Sequence, residues 1–185
     1  MSLVELIAQA DERGLAASGL ACLDRCVPLL GGDDELLRPL WGSLTDDAQA
    51  GEWGERLERT RAKLDAARSE DPAVVLAHRM LEAAPAEPSA AAVRVWADAC
   101  SVASLQIHRL LDTLADDASS VDARRQGRTN GMSPLVAAEL RRQITVLEVL
   151  AGHGPAGLRR ALEVSIEGRR VLRAVVSRRT RQQQG

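Results

Sequence analysis

The chain has 185 residues, 45% of them hydrophobic, which is enough to bury the core of one domain or of two small ones. It has no Phe and no Tyr, so its core must be built from Leu, Val and Ala around Trp41, Trp53 and Trp96. Because β-branched runs are also scarce, this composition favours an all-helical protein over a sheet protein. The net charge of −2 is small, and no segment has the ~20 consecutive apolar residues of a membrane span, so the sequence predicts an all-α protein that does not enter a membrane.

The first 88 residues show apolar side chains at steps of three and four, the spacing of amphipathic helices, interrupted by glycines and prolines. Ser2 and Glu5 have the spacing of a capping box, and Gly14 is a natural helix end. Asp71 and Pro72 are typical of a helix start. The pattern predicts helices over residues 2–13, 15–30, 33–44, from the cap at 45–47 to about 68, and 71–84.

The longest apolar stretch runs from Ser89 to Leu114, and its principal face includes Val93, Trp96 and Cys100 at helical spacing. A second apolar row widens this face, and it consists of Ala92, Val95, Ala99 and Val102. A helix that is apolar almost all round is surrounded by other helices. We therefore predict an irregular bundle of about seven or eight helices around a long central helix, 89–114.

Residues 117–132 form the one clear break in the helical pattern. They contain Val121 as their only strongly apolar residue and end in a turn signal, which predicts a mobile loop. Two helices follow, over 133–151 and from Pro155 to about Arg178, and the short turn between them predicts an antiparallel hairpin. We expect a single domain over 1–185, which allows a division into an N-terminal subdomain 1–70 and a C-terminal helical core 71–182.

The cysteines and the basic residues suggest where the chain comes from and where it resides. Cys22, Cys26 and Cys100 are an odd number, and the acidic N-terminal segment does not resemble a signal peptide, so we expect free thiols in a reducing cytoplasm. Lys63 is the only lysine among the 24 basic residues. This bias toward arginine, together with the high alanine content, is typical of a GC-rich bacterial genome.

No set of residues has the spacing of a catalytic or metal centre. Cys22 and Cys26 lie four residues apart without a neighbouring histidine, which favours two buried thiols over a metal site. His78, His108 and His153 all lack the Glu three residues earlier that di-iron bundles use. Adjacent aspartates occur where they can cap helices or be solvated. We therefore expect no enzyme activity, no cofactor and no metal.

Charge is distributed unevenly along the chain. Residues 1–70 carry 14 acidic and 8 basic side chains, whereas residues 119–185 carry 5 and 13. The basic last third can face the acidic part of the same chain, a second subunit or an acidic partner. No aromatic residue interleaves its arginines, which disfavours stacking on single-stranded nucleic acid. The candidate interaction surface consists of Arg124, Arg125, Arg128, Arg170, Arg173, Arg178 and Arg179.

The absence of a catalytic set beside many apolar helix faces favours a non-enzymatic protein that mediates protein–protein interaction and self-associates as a homodimer. Two alternatives remain open. A regulator would bind nucleic acid through its Arg-rich C-terminal region, and that binding would weaken steeply with salt. A helical small-molecule sensor would need a pocket beside Trp96 and His108.

Overall fold

The computed structural model describes residues 1–49, 51–64, 69–117 and 119–185, and within these ranges it is helical and contains no strand. The predicted all-α bundle is therefore confirmed. A 3-10 turn at Val27–Leu29 follows the second helix. The α-helices are α1 (Leu3–Gln9), α2 (Glu12–Arg25), α3 (Arg38–Gly42), α4 (Glu52–Ala62), α5 (Pro72–Glu82), α6 (Ala90–Leu111), α7 (Val121–Arg125) and α8 (Pro134–Gln183).

Polar side chains start several of these helices where the sequence predicts a cap. Ser2 and Glu5 form the capping box of α1, Asp71 accepts from the amide of Ala73, and Ser89 accepts from the amide of Ala92. The prediction that Gly14 ends the first helix is wrong. Asp11 accepts a 2.7 Å hydrogen bond from the Gly14 amide and so starts α2 two residues after α1 ends.

Two other helices are shorter than the sequence predicts. α3 begins at Arg38 instead of residue 33, because the preceding residues form turns and Pro39 opens the helix. α4 begins only after Gly51, whose φ of 89° lies in the left-handed region. The predicted end of this helix near residue 68 lies outside the described residues.

α2 and α6 lie together at the centre of the bundle. α6 contacts α1, α2, α5, α7 and α8, whereas α2 packs mainly against α6 and α8. The shorter α2 is the more completely enclosed, since every residue from Gly14 to Arg25 is buried. α6 is buried along most of its principal face, but its second row is only partly covered, because Val95 is 72% exposed and Ala99 is also exposed, whereas Ala92 and Val102 are half-buried. The expectation that both rows are buried is therefore corrected.

α8 is bent into two arms at Gly154, whose φ of 52° breaks the helical backbone. The second arm (155–183) returns along the first arm (134–153). A Cβ at Gly157 would lie 2.5 Å from the carbonyl oxygen of Val149, and Arg142 lies 4.0 Å from Glu167. These pairings confirm the predicted antiparallel hairpin.

The connection between α6 and α8 has regular structure that its sequence does not suggest. Ser120 accepts a 3.1 Å hydrogen bond from the amide of Ala123 and starts the short helix α7. Arg124 and Arg125 on this helix are buried. Within the described ranges, no helix is both long enough and apolar enough to cross a bilayer.

Candidate functional site

Among the described residues, the most enclosed ion pair joins Arg25 on α2 to Glu139 on the first arm of α8. Both side chains have 0% of their surface exposed. The Nε and Nη2 of Arg25 donate to Oε2 and Oε1 of Glu139, each at 2.7 Å. This bidentate geometry is the strongest arrangement that an arginine and a carboxylate can adopt. It connects two helices that the sequence separates by more than a hundred residues.

Helix α6 completes this buried ionic junction, which we define as Arg25, Ser104, His108, Glu139 and Gln143. Ser104 Oγ and Gln143 Nε2 donate to Glu139 Oε1 at 2.7 and 2.8 Å. His108 Nε2 lies 3.6 Å from Glu139 Oε2, and its Nδ1 lies 2.7 Å from the Ser104 carbonyl oxygen. Every oxygen of the carboxylate is therefore paired, as a buried charge requires.

The electrostatics of the junction keep its charges fixed at neutral pH. Burial opposes the ionisation of Glu139, but the guanidinium of Arg25, with smaller contributions from His108 and Gln143, outweighs it and lowers the pKa of Glu139 to about 2. Burial lowers the pKa of His108, and the charge of Glu139 offsets only part of this effect. At neutral pH Glu139 is therefore ionised and the imidazole of His108 is neutral, and His108 adds to the stabilisation of the carboxylate only once it is protonated in acid.

Burial disfavours the thiolate form, which is the nucleophilic form, of the neighbouring cysteines. Burial raises the pKa of the Cys22 thiol to about 12 and also raises the pKa values of Cys26 and Cys100. All three are free and buried, as the sequence predicts. Because the junction and the thiols beside it are closed to solvent, we interpret this region as a structural centre that holds three helices together.

A second buried junction joins the acidic N-terminal part to the basic second arm of α8. Asp24 accepts a 2.8 Å hydrogen bond from Trp41 Nε1 and a 2.6 Å bond from Arg169 Nη1. Asp34 pairs with Arg173. The acidic body and the basic last third of the sequence therefore neutralise one another, at least in part, within one chain.

The seven arginines of the candidate interaction surface differ in their environments. Arg124 is 1% exposed and bonds to Asp116, Asp117 and two backbone carbonyls, and Arg125 bonds to Asp98 and Ser101. Arg173 pairs with Asp34 and Arg179 with Asp71, the latter at 3.2 Å. Three of the seven are exposed and have no carboxylate within 4 Å among the described residues, namely Arg128, Arg170 and Arg178.

An uncovered apolar strip lies on the opposite side of α6 from the ionic junction. Its outer row consists of Val95 and Ala99, which are exposed, and Val102, which is half-buried, and the last two also line an open groove. Leu76 of α5 and Val121 of α7 flank the groove, both half-buried. The outer groove is lined by Leu76, Ala99, Val102, Ala103, Gln106, Arg109, Ser120, Val121 and Asp122.

The space beside Trp96 is filled by protein. Its indole donates a 2.9 Å hydrogen bond to the Met80 carbonyl oxygen and packs edge-on against Trp53 at a centroid distance of 5.9 Å. A Cβ at Gly19 would lie only 2.8 Å from the Trp96 ring. In the described ranges, no group of three or more His, Cys, Asp and Glu side chains is arranged to hold a metal ion.

Sequence reasoning did not find the ionic junction, although one signal for it is present. Glu139 lies on the same side of its helix as the buried residues Val136, Leu140 and Gln143. Its charge therefore falls on a face that is otherwise mainly apolar. Arg25 is likewise in register with Cys22. Opposite charges on the apolar faces of two helices indicate a buried pair, since Arg and Glu are almost never fully buried without a partner.

No protein-family model matches the chain, and neither a curated protein nor a solved structure matches it. Its class is therefore defined by its own fold, an all-helical bundle closed by a C-terminal helical hairpin. Within that class, the chain is distinguished by the buried ionic junction on the inner side of α6 and by the uncovered apolar strip on the outer side.

Proposed function

We propose that this chain is a non-enzymatic protein-interaction module that forms a homodimer through the outer side of α6. The observation that carries the proposal is the outer row itself, in which Val95 is 72% exposed beside an apolar groove. Contiguous exposed apolar surface marks interaction sites in proteins that do not aggregate. The three buried thiols fit a reducing compartment, so we place this association in the cytoplasm.

The charged residues around the outer row already have partners within the chain. Arg94 donates to the carbonyl oxygens of Ile7, Ala8 and Ala10, where it holds the end of α1. Asp98 pairs with Arg125, and Arg109 lies 2.9 Å from Asp116. A partner that covers the row therefore has few unpaired charges to desolvate, which lowers the cost of binding.

A second copy of the chain fits this surface because the projecting residue and the groove lie on the same helix. If two α6 helices pack antiparallel about a twofold axis between Ala99 and Val102, Val95 of each copy lies beside Gln106 of the other. Each valine then enters the opposite groove, and the contact is self-complementary as a twofold dimer requires. The small side chain of Ala99 allows the helices to approach closely.

The arginine pattern supports this proposal over the nucleic-acid alternative. Four of the seven candidate arginines are bound to carboxylates of the same chain, so they contribute little free positive charge for phosphates. A regulator that binds nucleic acid would need Arg128, Arg170 and Arg178 to act together. These three lie on two different segments of the chain.

Sedimentation velocity between about 1 and 200 µM tests the proposal, because a surface one helix wide predicts a micromolar dimer. We expect wild type to shift from monomer to dimer and the Val95→Glu variant to remain monomeric. The matched control is Leu114→Glu, since Leu114 is 60% exposed but lies outside the outer row. A wild-type monomer at every concentration, or equal dimerisation of wild type and Val95→Glu, would contradict the proposal.

A further inference from the structure

A second groove lies where the end of α6 meets the beginning of α8 and the end of its second arm. Its volume is about 460 Å³, within the ~300–1,000 Å³ that small-molecule sites occupy. Apolar side chains from three segments contribute to it. The groove is lined by Leu110, Leu111, Asp112, Thr113, Leu135, Val175, Arg178, Arg179 and Gln182, and we call it the terminal groove.

Both carboxylate oxygens of the acidic side chain in the terminal groove accept hydrogen bonds from backbone amides. Asp112 Oδ1 accepts a 3.0 Å hydrogen bond from the Leu114 amide, and Oδ2 accepts a 2.8 Å bond from the Leu135 amide. The carboxylate thus holds the turn after α6 and the first turn of α8. Its two oxygens are directed at these amides, so it does not pair with the arginines across the groove.

The positive charge in the groove is correspondingly unbalanced. Arg179 is paired with Asp71 at 3.2 Å, but Arg178 has no carboxylate within 4 Å among the described residues. A guanidinium without a partner beside apolar side chains can bind a carboxylate or phosphate in a bidentate manner. The hydroxyl of Thr113 and the amide of Gln182 add neutral hydrogen-bonding groups.

We propose that the terminal groove binds a small amphiphile with an aliphatic chain and an anionic head group, either a carboxylate or a phosphate. The aliphatic chain lies on Leu110, Leu135 and Val175, and the head group binds Arg178, with Arg179 alongside it. This site is separate from the outer row of α6, so it does not depend on the proposed dimer.

Isothermal titration calorimetry with decanoate and decyl phosphate, below the concentrations at which they form micelles, tests the proposal. We expect both to bind, and the stronger of the two identifies the preferred head group. Decyltrimethylammonium, which has the same chain and a positive head group, is expected not to bind. Butanoate is expected to bind at least tenfold more weakly than decanoate, because it buries less apolar surface.

Two variants separate a specific site from general attraction to a basic helix. Arg178→Gln is expected to weaken decanoate binding roughly tenfold, since it removes a charge-assisted hydrogen bond. Arg170→Gln changes an exposed arginine of the same arm that does not line the groove, so it is expected to leave binding unchanged. Equal losses in the two variants, equal binding of decyltrimethylammonium, or no binding of either anion would overturn the proposal. Binding to anionic vesicles but not to the free amphiphiles would assign this surface to membranes and would overturn it as well.

Discussion

The two sides of α6 reverse the usual relation between polarity and burial. On the inner side, Ser104 and His108 are buried within the ionic junction. On the outer side, Val95 and Ala99 face solvent. The difference shows that the burial of a side chain depends on which groups the neighbouring helices place beside it. Glu139 and Gln143 provide partners for the polar residues, whereas α5 and α7 leave the apolar row uncovered.

This contrast assigns different roles to the two sides. The inner side contributes to the stability of the single chain, because its charges are paired only when α2, α6 and α8 are assembled. The outer side is less buried, since Val95 and Ala99 are exposed, and it is the side through which we propose association. Mutations on the inner side should therefore change the free energy of unfolding, and mutations on the outer side should change the oligomeric state.

The largest effect is expected from breaking the ionic junction. Glu139→Gln leaves the charge of Arg25 buried without a counter-charge, and we expect a loss of about 3–5 kcal/mol in the free energy of unfolding. Because domains are stable by only about 5–15 kcal/mol, this loss is expected to be a large fraction of the total stability. Urea denaturation followed by circular dichroism measures the difference.

Two further variants show whether this loss comes from the unpaired charge. Glu148→Gln, at an exposed position on the same helix, is expected to change stability by less than about 0.5 kcal/mol. The double variant Arg25→Met, Glu139→Leu removes both charges and is expected to recover most of the stability that Glu139→Gln loses. If the double variant were as unstable as the single one, packing and not charge would dominate the junction.

Acid should weaken the inner side of α6 in a defined order. His108 has a folded pKa below its ordinary 6.5, so the unfolded chain binds a proton first and stability begins to fall as the pH drops through 6.5. Glu139, with a folded pKa of about 2 against an ordinary 4.5, contributes on the order of 3 kcal/mol that is present above pH 4.5 and is lost between 4.5 and 2.

Urea midpoints measured from pH 7.5 downward test this order. The double variant Arg25→Met, Glu139→Leu should lack the steep loss below pH 4.5. His108→Asn, whose amide can still donate to the Ser104 carbonyl, should flatten the part of the curve that falls as the pH drops through 6.5. A single proton contributes at most about 1.4 kcal/mol per pH unit. Parallel curves for wild type and the double variant would show that Glu139 does not carry the acid sensitivity.

A substitution at Gly168 also tests the inner side of α6, and its expected effect on stability is smaller. A Cβ at this position would overlap the Cδ of Arg25 and would lie 3.0 Å from the Cδ of Arg142. Because the guanidinium of Arg25 is fixed by Glu139, its side chain cannot move away freely. We expect Gly168→Ala to cost about 1–3 kcal/mol in the free energy of unfolding, by overpacking.

The chain offers a matched glycine for this experiment. Gly152 is helical and has no atom within 4 Å of its Cβ position, so Gly152→Ala is expected to be neutral or to stabilise by about 0.5–1 kcal/mol. In an Arg25→Met, Glu139→Leu background the cost of Gly168→Ala should decrease, because the side chain at position 25 is no longer held in place by an ion pair and can move away. An unchanged cost would indicate that Arg142 or the backbone sets the limit.

Local signals allow the fold, but not its centre, to be predicted from the sequence. Ser89, Asp71 and the Gly154 turn act on residues a few positions away, and the structure confirms them. The pair of Arg25 and Glu139 joins positions far apart in the chain. Each residue alone is a charge on an apolar stripe, and only the packed helices show that the two charges cancel.

The outer row shows what the apolar periodicity of a helix cannot predict. Periodicity identifies Val95 and Ala99 as apolar positions of one helix but does not say whether the same chain covers them. The burial of Arg124 and Arg125 was unpredictable for a related reason, since their carboxylate partners, such as Asp98 and Asp116, are distributed over α6 and the loop after it. In both cases the number of neighbouring elements, and not the residue type, decides the exposure.

The smallest expected effect concerns the outer side, where stability should depend on protein concentration. If a second copy covers the outer row, association stabilises the folded state by mass action. The melting temperature of wild type should then rise by a few degrees between about 5 and 200 µM, because a gain of about 1 kcal/mol corresponds to only about 2–4 °C at this chain length. Val95→Glu should melt at the wild-type dilute value at both concentrations, and Leu114→Glu should follow wild type. If the melting temperature of Val95→Glu still depended on concentration, the interface would have to lie outside the outer row of α6. That result would not affect the structural role assigned to the inner side.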